Sequence, residues 1–232
     1  MNKRLRYAQS VRRLFQSVRP IDRVRFILTL TSIFIIDKIA FQSFAMNFSP
    51  NEFYHVYNRG NNKQLIFPEE DNYRFFIKKM YMELSGFAEV VAYCLMPNHY
   101  HILLYTKPDL DDQQSKILNR KIGTLQSSYT QAHNKRFQKT GSLFQQKVKR
   151  KCLNNQANQA VICFHYIHQN PLKAGLVKLM LDWEFSSFKD YVNEVECKII
   201  NRKIAYDLLA IPEDKEAFLN ESLGVIVFDE GY

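Results

Sequence analysis

Acidic residues are missing from a long part of this sequence. Residues 113–181 contain no Asp or Glu but twelve Lys or Arg, whereas residues 182–232 contain twelve acids against five bases. A surface that binds phosphates needs such an imbalance, because carboxylates repel a nucleic-acid backbone. Lys and Arg that contact the phosphates also release the counterions of the nucleic acid, which favours binding. The middle segment is therefore predicted to bind a polyanion. The acidic segment either lies against the basic face or keeps the chain in solution, and we favour the second role.

Closely spaced cysteines and long apolar runs are lacking too. The apolar run at residues 26–36 is about half as long as the roughly 20 residues that a membrane-spanning helix needs, so we expect no membrane partner. No C-x-x-C spacing occurs, and we interpret the cysteines as reduced core thiols of a cytoplasmic protein. They are Cys94, Cys152, Cys163 and Cys197.

The chain divides into three parts by composition. Residues 1–45 carry nine Lys or Arg against two acids, together with the short apolar run. A signal-peptide core and a membrane-surface helix both remain open for this part, and we interpret it as an N-terminal extension. Regular patterning begins at Met46, which predicts one domain over 46–192 and an acidic tail over 193–232. With 46% hydrophobic and 14% aromatic residues, the domain is expected to be globular.

The order of predicted elements defines a fold class. Apolar alternation predicts strands, helical spacing predicts helices, and Gly, Pro and Asn mark the breaks between them. The resulting order is β-α-β-β-α-β followed by a helix, which is that of an α+β, ferredoxin-like split βαβ sandwich with an antiparallel sheet and helices on one face. The predicted elements are a strand near 53–57, a helix from about 68 to 86, strands at 87–96 and 99–106, a helix at 113–137, a strand within 143–153 and a helix from about 154 to Pro171.

Two histidines stand two residues apart at the start of the third strand. Alternation along a strand places His99 and His101 on the same face. Two adjacent imidazoles are half of a site for a divalent metal ion. Solvated histidines at a strand end are the simpler interpretation of this pair taken alone.

A tyrosine and an amide share a face of the last predicted helix. Tyr166 and Asn170 are four residues apart, so they lie about one turn from each other. A phenol can attack phosphorus, and an amide oxygen can complete the ligands of a metal. Tyr129, with His133 four residues further on, is the rival nucleophile on the preceding basic helix.

Four ordered motifs resemble a known family. They are YHVYNRG at 54–60, MPNHYH at 96–101, GSLFQ at 141–145 and YIHQNP at 166–171. Together they are similar to the REP-associated tyrosine transposases, which are single-tyrosine members of the HUH nuclease superfamily. The resemblance covers about residues 50–192 and includes Trp-x-x-Ser-Ser at 183–187.

The resemblance implies a site and a reaction. His99 and His101 would bind a divalent ion, Mg or Mn, with Asn170 as the third ligand and Tyr166 as the nucleophile. Such proteins cut single-stranded DNA beside hairpins formed by palindromic repeats and form a 5′-phosphotyrosine intermediate. The expected partner is single-stranded or hairpin DNA, bound by a monomer or a homodimer. The expected DNA contacts are Asn58, Arg59, Lys147, Lys149, Arg150 and Lys151.

Two other functions remain open at this point. A nicking enzyme of replication in the same superfamily would use the same chemistry without transposition. A non-catalytic protein that binds hairpin DNA would keep the sandwich and lose the reaction.

Overall fold

The computed structural model of this chain describes residues 47–153, 158–193 and 198–224. The predicted N-terminal extension and its apolar run lie outside these ranges. Cys197 and residues 225–232 of the acidic segment also lie outside them. Within the described ranges, no helix has the length and apolar character required to cross a membrane.

Four antiparallel strands form one sheet. They are β1 (Phe53–Arg59), β2 (Ala88–Met96), β3 (His99–Thr106) and β4 (Lys149–Cys152), in the order β2-β3-β1-β4. β2 and β3 form the predicted hairpin. β4 is shorter than predicted, since Phe144 makes only an isolated bridge to Gly60 before the strand begins.

Two crossover helices cover one face of the sheet. Helix α1 (Glu70–Leu84) joins β1 to β2, and helix α2 (Asp112–Phe137) joins β3 to β4. Both begin with a capping box, formed by Glu69 with Asn72 and by Asp111 with Gln114. This arrangement is the predicted ferredoxin-like sandwich, and the fold class is confirmed.

The core lies between these helices and the sheet. Tyr100 of β3 is fully buried, and its ring centroid is 5.0 Å from that of Phe76 in α1. Leu118, Ile122 and Leu125 line the inner side of α2, as the helical spacing predicts. The neighbours of Tyr100 in sequence, His99 and His101, therefore face the other side of the sheet.

A third helix lies on that other side. Helix α3 (Gln159–Lys173) packs on β2 and β3 through buried side chains such as Phe164 and Ile167. It continues two residues past Pro171, although its end was expected close to that proline. Pro171 has no N–H to donate to the carbonyl of Ile167, a loss that the last turn of a helix tolerates better than its middle.

The acidic segment is not a solvated tail where the structure describes it. After a short helix α4 (Phe188–Val192), it forms α5 (Arg202–Leu209) and α6 (Lys215–Gly224). Ala205 and Phe218 of these two helices are buried. Apolar positions within an otherwise acidic segment thus anchor it to the domain.

The cysteines differ in part from the prediction. Cys94 and Cys163 are free and buried, as expected for core thiols. Cys152 is free but exposed, because it ends the edge strand β4.

Candidate active site

Strand register brings β1 and β3 side chains together beneath α3. His101 pairs with Tyr57, and His99 pairs with Arg59. His55 is diagonal to His101 on the same face, and the two rings are stacked with centroids 5.1 Å apart. The rings of His99 and His101 are also 5.1 Å apart and perpendicular to each other. The predicted histidine pair is thus part of a larger cluster.

Tyr166 reaches this cluster from α3. Its ring centroid lies 5.4 Å from that of His101, with the two planes at 89°. It also lies 6.2 Å from the ring of His55. One chain therefore brings the tyrosine and the histidines together without a second copy.

Both histidines of the pair have their Nδ1 atoms occupied. The Nδ1 of His99 lies 2.6 Å from Oδ1 of Asn98, and the Nδ1 of His101 lies 2.9 Å from Nε2 of His55. Asn98 is held in turn by Gly60, whose N–H donates to the Asn98 carbonyl at 2.8 Å. A side chain at position 60 would lie only 2.3 Å from the Gln64 carbonyl oxygen, so this position requires glycine.

Burial keeps these imidazoles neutral. It lowers the pKa of His55 to about 3, and the charge of Lys151 acts in the same direction. It lowers the pKa of His99 to about 4, aided by Arg59. The pKa of His101 is also well below its usual value because of burial and, next, the nearby His55 and His99. Neutral imidazole is the form that binds metals.

His99, His101 and Tyr166 line a cavity of about 100 Å³. The lining combines two basic side chains, two imidazoles, two phenols and two amides, so it could contact both an anionic phosphate and a cation. Among the described residues, no group of three or more His, Cys, Asp or Glu could hold a metal ion by itself. Any metal here would need an amide, phenol, water or substrate oxygen besides the imidazoles. The lining residues are Tyr57, Asn58, Arg59, His99, His101, Gln145, Lys149 and Tyr166.

Asn170 is close to Tyr166 in the helix but does not line the cavity. Its Nδ2 donates to the carbonyl of Tyr166 at 2.8 Å. The side chain is buried, and its amide oxygen is the atom that could act as a ligand. The structure therefore places three of the four predicted site residues around one cavity and the fourth one helical turn from Tyr166.

The residues predicted to contact DNA do not all lie on the same face of the sheet. Lys149 and Arg59 line the cavity, and Lys151 pairs with His55 on the same side of the sheet. Lys147 is exposed just before β4. Lys149 also lies over the ring of Tyr57, with its Nζ 5.8 Å from the ring centroid.

Two of the predicted contacts point to the helix-covered face of the sheet. The side chain of Asn58 is only 3% exposed and its Nδ2 donates to Gln126 of α2 and to the carbonyl of Gln145. Arg150 pairs with Val56, so alternation points it to the helix-covered face, where it contacts Asn119. Both side chains make hydrogen bonds within the domain, and Asn58 also belongs to the lining of the cavity.

The rival nucleophile lies in the core. Tyr129 is 1% exposed, and its hydroxyl donates to the carbonyl of Ile66. Burial raises the pKa of this phenol far above its usual value, with Tyr73 acting in the same direction. Its ring packs on Phe76, on the face of the sheet opposite the histidines. Tyr129 is therefore a structural residue.

Sequence reasoning missed two residues of the site. In the sequence, His55 stands out only as part of the motif at 54–60. It nevertheless shares a strand face with Tyr57, in the way that His99 shares one with His101. Pairing of β1 with β3 would have placed it beside the His99–His101 pair. Lys173 belongs to none of the predicted motifs, yet it lies about two turns after Tyr166 on the same helix, and its Nζ is 5.8 Å from the Tyr166 ring centroid.

The fold and the site define a ferredoxin-like α+β protein whose strand histidines face a tyrosine on a following helix. No family model matches the chain. A curated relative from Haemophilus influenzae, named as a REP-associated tyrosine transposase, is 29% identical over 109 residues. The match covers 43% of this chain and 58% of the relative, so the chain spans less than two thirds of that protein. The predicted resemblance to the REP-associated tyrosine transposases is confirmed.

Two solved structures are similar to parts of this chain. One is a REP-associated tyrosine transposase bound to a REP hairpin, with a TM-score of 0.49, 21% identity and coverage of 67% of this chain and 94% of that chain. The other is a bacterial tRNA(His) guanylyltransferase-like protein in complex with GTP, with a TM-score of 0.37 and 15% identity, which covers 64% of this chain and 75% of that chain. The fold assignment itself rests on the strand order and connections described above.

Proposed function

We propose that this chain is a metal-dependent endonuclease and strand transferase that acts on single-stranded DNA beside hairpins. One observation carries the proposal, namely that the Tyr166 phenol and the His99–His101 pair share one cavity lined by basic residues. Tyr166 is largely buried, and the part that remains accessible lines this cavity together with Arg59 and Lys149. The similarity to REP-associated tyrosine transposases supports the same reaction.

The reaction would be an exchange of one phosphate ester for another. The Tyr166 oxygen attacks the phosphorus, the bond from phosphorus to the 3′ oxygen breaks, and the released 3′ oxygen takes up a proton. The products are a 5′-phosphotyrosine and a free 3′-OH. Because the ester bond is conserved, the 3′-OH of another strand can reverse the step without ATP.

Lys173 and the basic lining would assist the tyrosine. The phenol must lose its proton before it attacks, and the ammonium group over its ring stabilises the negative charge that results. Arg59 and Lys149 contribute positive charge where the scissile phosphate would lie. Lys147 and Lys151 extend this positive charge along the approach to the cavity.

The residues present fit a divalent metal ion such as Mg or Mn. His99 and His101 would hold it through Nε2, since their Nδ1 atoms are engaged by Asn98 and His55. Asn170 would add its amide oxygen. When bound, the ion supplies charge neutralisation for the phosphate oxygens.

A covalent-adduct assay tests the function. The protein is incubated with a pool of single-stranded oligonucleotides that carry different hairpins and a 3′-terminal fluorophore, and covalent complexes are detected on a denaturing gel. We expect an adduct with Mg or Mn, none with EDTA, and a loss of at least about 100-fold in Tyr166→Phe. An adduct that persists in Tyr166→Phe would contradict the assignment.

Tyr129→Phe is the matched control, since it removes a phenol from the same domain outside the cavity. It should still form the adduct. Binding of hairpins without any adduct, under all metal conditions, would instead indicate a non-catalytic hairpin-binding protein.

A further inference from the structure

A buried histidine stands directly behind one of the proposed metal ligands. His55 is 0% exposed and lies on β1, the strand that pairs with the histidine strand β3. Its Nε2 is 2.9 Å from Nδ1 of His101, and the two rings are stacked with a 22° angle between their planes. The proposed function uses this contact but does not say which of the two rings donates the hydrogen bond.

The hydrogen bond between two neutral imidazoles has only two arrangements. One ring must present an N–H, and the other must present a lone pair. If His55 donates, the proton of His101 is on Nε2, which leaves His101 no lone pair for the cavity. If His101 donates from Nδ1, its Nε2 lone pair is available there.

We propose that His55 is a positioning residue that accepts the Nδ1–H of His101 and so directs the Nε2 lone pair of His101 into the cavity as a metal ligand. This inference rests on the proposed function, because it assigns a task within the same site. His55 is not itself a ligand in this arrangement, since its Nε2 is directed at His101. Metal-binding histidines commonly donate their second ring nitrogen to a fixed acceptor in this way.

The neighbouring histidine has the same arrangement with an acceptor whose role is unambiguous. Oδ1 of Asn98 can only accept, so the Nδ1 of His99 carries the proton and its Nε2 carries the lone pair. The orientation of this amide is supported by its Nδ2, which donates to the carbonyl of Lys63 at 3.4 Å. Both members of the pair are then held in the same tautomer by a side chain behind them.

The tautomer can be measured without metal or DNA. Long-range nitrogen–proton NMR correlations of the metal-free protein, with ¹⁵N-labelled histidine, distinguish Nδ1–H from Nε2–H. We expect His101 as Nδ1–H in the unmodified chain, assigned by loss of its signals in His101→Ala. An Nε2–H tautomer for His101 would overturn the proposal, and this measurement does not depend on whether any His55 variant folds.

Metal affinity gives a second readout. Mn²⁺ binding by calorimetry should weaken about 10- to 100-fold in His55→Phe, which keeps the ring but removes the acceptor. His55→Gln restores an acceptor near the position of Nε2 and should bind within a few-fold of the unmodified chain. His133→Phe makes the same change at a buried histidine near Tyr129, on the other face of the sheet, and should not affect binding.

The outcomes separate this inference from the proposed function. Loss of Mn²⁺ binding in His101→Ala together with undiminished binding in His55→Phe would reject only the role of His55. Undiminished Mn²⁺ binding in both His99→Ala and His101→Ala would reject the metal site itself. Equal weakening in His55→Phe and His55→Gln would show that packing, and not the acceptor, matters at this position.

Discussion

Glu221 of helix α6 accepts a hydrogen bond from His165 of helix α3, which also carries Tyr166. The His165 Nε2 and the Glu221 Oε1 are 3.0 Å apart. Two further contacts join the same helices: Gln169 donates to the carbonyl of Ser222 at 3.0 Å, and the rings of Phe164 and Phe218 lie 6.3 Å apart. His165 and Gln169 stand on either side of Tyr166 in sequence. The acidic segment therefore supports the helix that carries the proposed nucleophile.

Replacing Glu221 by Ala should destabilise the domain by about 1 kcal/mol, because the buried imidazole of His165 loses its acceptor. Chemical denaturation measures the free energy of unfolding. Glu216→Ala is the control, since Glu216 is an exposed acid in the first turn of the same helix. Equal losses in the two variants would mean that the His165 contact contributes no more to stability than the helix-dipole interaction of Glu216.

The two candidate tyrosines should respond differently to the same substitution. Tyr129→Phe leaves the buried carbonyl of Ile66 without its donor, which should cost roughly 1–3 kcal/mol of unfolding free energy. Tyr166→Phe should change stability by less than Tyr129→Phe does, because Tyr166 lines the cavity. Thermal and urea unfolding of both variants check this prediction. A larger loss in Tyr166→Phe would mean that its hydroxyl is mainly structural.

Stability should decrease in mild acid, in part because of His133. Burial is the main reason why the pKa of His133 is lowered, and Lys139 adds to the effect. Below about pH 6.5, the ordinary histidine pKa, the unfolded chain takes up a proton that folded His133 does not. The free energy of unfolding is therefore highest above this pH and falls as the pH drops toward the folded-state pKa.

His133→Phe should reduce this dependence. One histidine contributes a slope of at most about 1.4 kcal/mol per pH unit, and the variant lacks that contribution. Urea denaturation at several pH values between 5 and 7.5 measures the slope for both proteins. Identical slopes would show that folded His133 binds its proton as readily as it does in the unfolded chain.

The adjacent basic residues Lys149 and Arg150 of β4 should have different roles. Lys149→Ala should weaken binding of single-stranded hairpin DNA and reduce the salt dependence of the affinity by about one phosphate contact, because Lys149 lines the cavity. Arg150→Ala should leave that salt dependence unchanged and lower stability instead, because Arg150 contacts Asn119 and lies over Phe48. Fluorescence anisotropy at a series of salt concentrations compares them. A similar change in both slopes would contradict the assignment by strand face.

The sequence by itself determined the order of elements and the face of each short motif. Strand alternation places His99 and His101 together, and helix geometry places Tyr166 one turn from Asn170, because both patterns depend on local backbone geometry alone. The charge division at residue 182 is equally visible in the chain. These features identified the sandwich and most of the cavity.

Only the tertiary structure decided which distant residues meet. The β1–β3 register places His55 behind His101, and the packing of α3 brings Tyr166 to the same cavity while Tyr129 is buried in the core. It also directs Asn58 and Arg150 inward and turns part of the acidic segment into support for the tyrosine helix. Register and packing depend on contacts between residues far apart in the chain, which local periodicity does not encode.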